Sequence, residues 1–287
     1  VEKFEYIDIM RTSGMRGPSR WNDADSGEGA IGTLDTVLAK AGLPGLLDPA
    51  LVQLRRIEEV VGAARFKRDE ARRRLEEANR ALLADGVIDL DVYADVLRDV
   101  APWIDEDGPA SVGVGDAGRQ LRVRAIMTVF GMASGIYQRL RDHAKDIVRE
   151  IAAVDLPAGV WQLGSNSEAA ALMAREGRDV GYGRLVRAND QWVNVLEAAK
   201  LLRETGQFEA ELMFPGGCPV DLGTVYLNWE APAGEVEQLR QVPPVLRVRR
   251  AHDLGWRPGV WLKSDHERYA QEAKPRRGLL AGLVGAK

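Results

Sequence analysis

VRAIMTVFGMASGIYQRLRDHAKDIVREIAAV, residues 123–154, places apolar side chains at Val123, Ile126, Phe130, Ala133, Tyr137, Leu140, Ala144, Ile147, Ile151 and Val154. The steps alternate between three and four, which is the heptad spacing of a helix with one apolar stripe. A helix of about 35 residues follows, near 50 Å long at 1.5 Å per residue. Each Leu, Ile or Phe of such a stripe left in water forgoes about 1.5 to 3 kcal/mol, so all ten positions must be covered. A small domain seldom offers a cover that long. The stripe is therefore read as an interaction stripe.

Working outward toward the N-terminus, a second seam passes through Leu54, Ile57, Val61, Ala64, Arg68, Ala71, Leu75, Ala78 and Leu82. Its alanines let a partner helix approach closely, while Arg68 interrupts it. Gly86 is a helix stop, and Asp89 caps a further helix to about Val100, ended by Pro102. The two form an αα-hairpin. The spacing predicts that the helix over 51–83 covers part of the 123–154 stripe and that the turns around Val92 and Val96 cover more. Self-association or another helical protein is expected to cover the rest.

Residues 105–118 are acidic and then glycine-rich, and read as a hinge inside a helical, coiled-coil-like body over 46–156. Residues 1–45 read as a flexible lead-in, because 11–32 are mostly Gly, Ser, Asp and Asn and bury little. A short helix is expected over 34–41, stopped by Gly42 and Pro44.

Pro157 closes the long helix, and the composition then changes. Residues 159–163 read as a short strand. Ser165 with Glu168 is a capping box opening a helix to about Glu176. Asn189 or Asp190 opens another, through Glu204. Alternation of period two follows at 208–214, 225–229 and 246–249, with a last strand at 259–263. The fold class expected is mainly α: a long-helix hairpin or coiled-coil-like bundle, then a small α+β domain with an antiparallel sheet over 157–270 and a basic tail over 271–287. No internal repeat emerges from the whole chain.

The composition narrows function by exclusion. No run of about 18 apolar residues exists to span a membrane. The 287 residues contain one cysteine, Cys218, which excludes a disulfide scaffold and a cysteine-built zinc site. Of the 39 basic residues 31 are Arg, and Ala and Gly abound, the usage of a GC-rich bacterial genome or of its phage or mobile elements. Glu2, Glu5 and Asp8 stand where a secretory leader would need bases and an apolar core, so a cytoplasmic location is expected.

Several motifs invite chemistry, and each has a plainer structural account. Gly113, Gly115 and Gly118 spell G-x-G-x-x-G, but no buried strand precedes them, which defeats a dinucleotide site. Cys218 with His252 and His266 lacks any family signature for a nucleophile and base. The three histidines, His143 included, share no metal-ligand spacing. Glu209 and Glu211, like Arg247 and Arg249, have the i, i+2 spacing of cross-strand pairing. Gly131 and Gly135 leave a neighbouring helix room to pack. No catalytic, cofactor-binding or metal-ligating set is assigned.

Charge is unevenly placed along the chain: 83–116 is acidic, and 239–277 basic. Arg247, Arg249, Arg250, Arg257, Lys263, Arg276 and Arg277, interleaved with Trp256, Trp261 and Tyr269, are candidate contacts for nucleic acid or an acidic partner. The leading expectation is a non-enzymatic structural or protein-interaction protein that associates through long heptad helices. The alternatives are a nucleic-acid-associated protein using the basic C-terminal part, and an enzyme within 157–270 whose site would gather around Glu209, Glu211 and Asp221.

Overall fold

The computed structural model describes Trp21, residues 24–84, 90–105, 109–205, Leu239 and residues 241–273, and these are mainly helical. The α-helices among them are α1 (Ala24–Lys40), α2 (Asp48–Ala84), α3 (Leu90–Ile104), α4 (Pro109–Ala152), α5 (Asn166–Arg175), α6 (Asp179–Arg203), α7 (Arg247–Asp253) and α8 (Lys263–Ala273). Two 3-10 turns, Val160–Gln162 and Pro244–Leu246, join them. The chain divides into two units, with divisions inside α1 after Thr33, between Gly45 and Leu46, and inside α4 after Gly131.

The first unit holds residues 24–33 with Leu46–Gly131. Asp48 places a negative charge in the first turn of α2, and Pro49 behind it lacks only an N–H that has no intrahelical partner there. α2 and α3 form the expected αα-hairpin. Arg74 pairs with Asp99 at 3.0 Å, and the Tyr93 hydroxyl donates to Asn79 Oδ1 at 2.9 Å, so the helices run antiparallel. The buried core of this unit includes Trp21, Ile31, Ala71, Val100, Ile126, Val129 and Phe130.

Two expectations fail in this unit. Residues 24–32, read as part of a lead-in, are helix, because Ala30, Ile31, Leu34 and Leu38 have helical spacing and are buried. Gly27 belongs to that packing, since a Cβ there would collide with the Ile126 side chain. The hinge is likewise helix from Pro109 onward, giving α4 44 residues. Pro109 is the first residue of α4, where proline starts a helix rather than breaking one.

The second unit holds Leu34–Gly45 and the residues from Met132 on. Gly42, at φ +88°, ends α1 with paired bonds, Leu43 N–H to Leu38 O and Gly42 N–H to Ala39 O. His143 Nε2 donates to Ala41 O at 2.6 Å, closing the same helix end from α4. Gly255, at φ +83°, ends α7 in the same way and brings Trp256 onto Ala251 and Leu239 in a buried cluster. The capping box expected at α5 is formed: Ser165 Oγ accepts the Glu168 N–H, and Glu168 Oε2 accepts those of Ser165 and Gly164. α6 begins ten residues before the expected opening at Asn189, and Leu185, Ala188, Trp192, Val195, Ala199 and Leu202 are buried along it.

The expected antiparallel sheet is not supported, since no strand occurs among the described residues. Residues 160–162 form a 3-10 turn following Gly159, whose φ of +86° breaks extended backbone. Pro243 and Pro244 start a turn that runs straight into α7, so 246–249 is helical. Val245, Leu246, Val248 and Ala251 are all buried there, so Leu246 and Val248 belong to a buried helical face and not to one side of a strand. Lys263 opens α8 instead of ending a strand. The expected strands at 208–214 and 225–229 lie outside the described residues; of the tail expected over 271–287, residues 271–273 are the end of α8 and the rest lies outside them.

Candidate interaction surfaces

The apolar stripe of α4 is covered by its own chain. Ile126, Phe130, Ala133, Tyr137, Leu140, Ala144, Ile147, Ile151 and Val154 are buried, and Val123 is half-buried. In the first unit Trp21 meets Phe130 edge to face at 5.9 Å, and Gly27 sits on Ile126. In the second, Gly181 of α6 approaches Val154, and the Tyr137 hydroxyl reaches Trp261 O at 3.4 Å. Gly131 and Gly135 lie on the opposite, exposed face, where an added Cβ would meet nothing within 4 Å.

Incomplete burial is found on α2 instead. Among the described side chains of its seam, Ile57 and Ala71 are buried, while Leu54, Val61, Ala64, Arg68, Leu75 and Ala78 are half-buried. Eight large apolar residues are exposed among the described residues, and six of them, Val52, Phe66, Val92, Leu97, Val112 and Met127, belong to the first unit. Phe66 is 62% exposed on the side of α2 opposite the seam. With it lie Arg55, Glu59, Gly62, Glu70, Arg73 and Glu77, recurring at three- and four-residue steps. This row is absent from the sequence reading because its charges mask the one aromatic. The signal that could have found it is a short repeat, RRIEE at 55–59 and RRLEE at 73–77, whose starts are 18 residues apart, or five full turns.

The basic candidates are not brought together as one patch. Arg249 is turned inward, donating Nη1 to Ile151 O and Val154 O beyond the end of α4 and pairing Nε with Asp253 at 2.9 Å. Cations satisfy the orphan carbonyls of a helix C-terminus in this way. Arg250 lies over the Trp161 ring at 5.1 Å, and Arg257 over Tyr269 at 5.1 Å. Trp256 is buried and Trp261 donates its indole N–H to Arg257 O, so these aromatics are already engaged. Arg247 is exposed on α7, Lys263 begins α8, and Arg276 and Arg277 lie outside the described residues.

The sequence reading also missed a buried polar cluster. Asp265, the third residue of α8, is 5% exposed and accepts the Leu262 N–H at 2.9 Å, which is the acidic half of a capping box. Its other oxygen accepts from Arg141 at 2.7 Å and Arg268 at 2.9 Å. Arg141 also lies against the Trp261 ring, at 5.9 Å from its centroid. Tyr137 stands one turn before Arg141, and burial pushes its phenol above the ordinary value of 10.0, against the opposing pull of the buried Arg203. Each charge in this cluster has a partner of opposite sign or an accepting group. The arrangement pins α8 to α4 and has the character of a structural tie.

The other motifs separate in space or fall outside view. Gly113, Gly115 and Gly118 are interior to α4, so no phosphate-cradling loop precedes a helix there. His143 closes α1, His252 is exposed beside Asp253 and His266 is buried in α8. Among the described residues no group of three or more His, Cys, Asp or Glu could hold a metal ion. Cys218, Glu209, Glu211 and Asp221 lie outside them. No helix among the described residues is long and apolar enough to cross a membrane. No protein-family model, curated protein or solved structure matches the chain.

Proposed function

We propose that this chain is a non-enzymatic structural or interaction protein that binds helical protein surfaces through its first unit. The observation that supports the reading is the contrast in burial along the chain. The α4 stripe is closed, whereas α2 keeps a half-buried seam, and Phe66, Val92 and Val112 stand exposed in the same unit. Isolated apolar residues on a surface are ordinary, and it is their concentration, six of the eight exposed large ones in this unit, that supports the reading. The inward use of Arg249 and the stacking of Arg250 and Arg257 on aromatics leave the nucleic-acid alternative with less to recommend it.

The test uses the immobilised full chain as bait against a bacterial lysate, followed by reconstitution with each captured protein in purified form. Wild type is compared with a variant carrying Phe66→Glu, Val92→Glu and Val112→Glu, all at exposed positions and checked for unchanged helicity. A purified protein, including the chain itself, that binds wild type and not the variant supports the reading. Equal binding to both, or none to either, overturns it.

A further inference from the structure

We infer that the outer row of α2 is a self-association surface that pairs antiparallel with the same row of a second copy. The inference rests on the interaction reading above and names one partner for it. The row runs Val52, Arg55, Glu59, Gly62, Phe66, Glu70, Arg73, Glu77 and Arg80, and it is symmetric in position about Phe66. Residues equally far before and after Phe66 share the row, so a two-fold axis through Phe66 sets each against its counterpart.

The charges decide the orientation and the partner. About that axis Arg55 faces Glu77 of the second copy and Glu59 faces Arg73, and by symmetry each pair occurs again. The flanking residues repeat the signs in sequence, Arg56 opposite Glu76 and Glu58 opposite Arg74, but Arg74 is paired with Asp99 and Glu76 with Arg80 within the chain, so the match rests on the four row charges. A parallel pair would instead set Arg55 on Arg55 and Glu59 on Glu59, and like charges so placed repel. Within the chain none of Arg55, Glu59, Arg73 and Glu77 forms an ion pair among the described residues. A surface complementary to itself fits a second copy better than an acidic or a basic partner, either of which would meet half the row with repulsion.

The centre supplies the apolar contact. Phe66 is 62% exposed and meets its equivalent on the axis. Gly62 is one turn away, and a Cβ there would touch nothing within 4 Å, so the helices can close over the two rings. From Val52 to Arg80 the row is about 42 Å long, and a strip about 10 Å wide covers about 400 Å² per copy. About 800 Å² in total falls short of the roughly 1,200 Å² of a stable complex, so the dimer is weak and salt-sensitive.

Sedimentation velocity on the full chain from about 10 to about 500 µM reads the association directly. A dimer should grow in over that range and weaken about threefold or more when salt rises from about 50 to about 500 mM. Two charge variants then assign the face. Glu59→Arg with Glu77→Arg makes the row basic, and Arg55→Glu with Arg73→Glu makes it acidic; all four sites are exposed, and circular dichroism confirms the fold. Each variant alone should be monomeric, and their equimolar mixture should dimerise. A wild-type monomer at the highest concentration, variants that dimerise alone, or a mixture that stays monomeric would each overturn the inference. A monomeric wild type that still binds another purified protein through Phe66, Val92 and Val112 would leave the interaction reading standing. Failure of both assays would remove both.

Discussion

Asp265 offers the sharpest test of how the second unit is held together. Its carboxylate is 5% exposed and accepts three hydrogen bonds, from the Leu262 N–H, Arg141 and Arg268. Replacing it by alanine leaves the Arg141 guanidinium, 16% exposed, without its anion. Removing one partner of a buried ion pair costs about 3 to 5 kcal/mol, chiefly because the other charge stays buried. Arg268 is a different case. It is 66% exposed, and Arg268→Ala should cost under about 1 kcal/mol, the range of a solvated pair.

Urea unfolding followed by tryptophan fluorescence is the natural assay, because Trp261 lies against Arg141. The decisive variant is the double replacement Asp265→Ala with Arg141→Met, which removes the stranded charge while keeping an aliphatic chain against the indole. It should recover a large part of the loss, making the pair non-additive by about 1 to 3 kcal/mol. A cost below about 1 kcal/mol for Asp265→Ala, or additive losses in the double variant, would show that the buried pair does not tie α8 to α4.

Gly42→Ala should destabilise the second unit by about 1 to 2 kcal/mol in thermal unfolding, because φ is +88° and the new methyl would lie 3.3 Å from His143 Nε2. Tyr137 should lag the exposed tyrosines in a spectrophotometric titration near 295 nm. Its folded pKa is raised, so its contribution to stability is complete below pH 10 and is lost as the pH climbs through the folded value. Glu168 is held below its ordinary value of 4.5 by the Gly164 N–H, then by Ser165, so its contribution is complete above about pH 4.5 and disappears as the pH falls through the lowered value. Glu168→Gln should flatten that acid limb in unfolding curves measured from pH 6 to 3, and an unchanged limb would refute the assignment.

The helices were legible where the period was long and unbroken. The α4 stripe, the α2–α3 hairpin, the stop at Gly42 and the capping box at Ser165 all follow from local rules, and each is present. The failures are also local rules, applied where tertiary packing overrode them. Three glycines in 27–32 suggest loose chain, yet Gly27 is what lets α1 lie on Ile126. Four glycines in 108–118 suggest a hinge, yet 109–118 is helix; a Cβ at Gly113 or Gly115 would meet nothing, and one at Gly118 would make only an ordinary 3.8 Å contact with Ile57, so there the glycines are not explained by packing. A glycine costs a helix about 1 kcal/mol relative to alanine, a deficit that close helix packing can offset at Gly27.

The same reasoning explains why the α4 stripe reads as an interaction surface in the sequence although it is buried within the chain. An apolar stripe announces that something must cover it, and says nothing of whether the cover is another chain or a distant part of the same one. Trp21, α1 and α6 supply that cover here, and Trp21 with the first turns of α1 lies in a stretch that composition marks as unstructured. A weak, specific contact between folded proteins has a different signature, because it must remain soluble when apart. It needs charges that are satisfied by water alone and by a partner when paired, around a small apolar centre. RRIEE and RRLEE flanking Phe66 meet that description. The two motifs share a face because the 18 residues between their starts make five turns of one continuous helix. Phe66→Pro would break that continuity, and should abolish association in either register by unfolding the middle of α2; Phe66→Ala should preserve the helix and weaken association alone. Circular dichroism paired with sedimentation separates the two, and an Ala variant that associates as tightly as wild type would show that the rings do not meet.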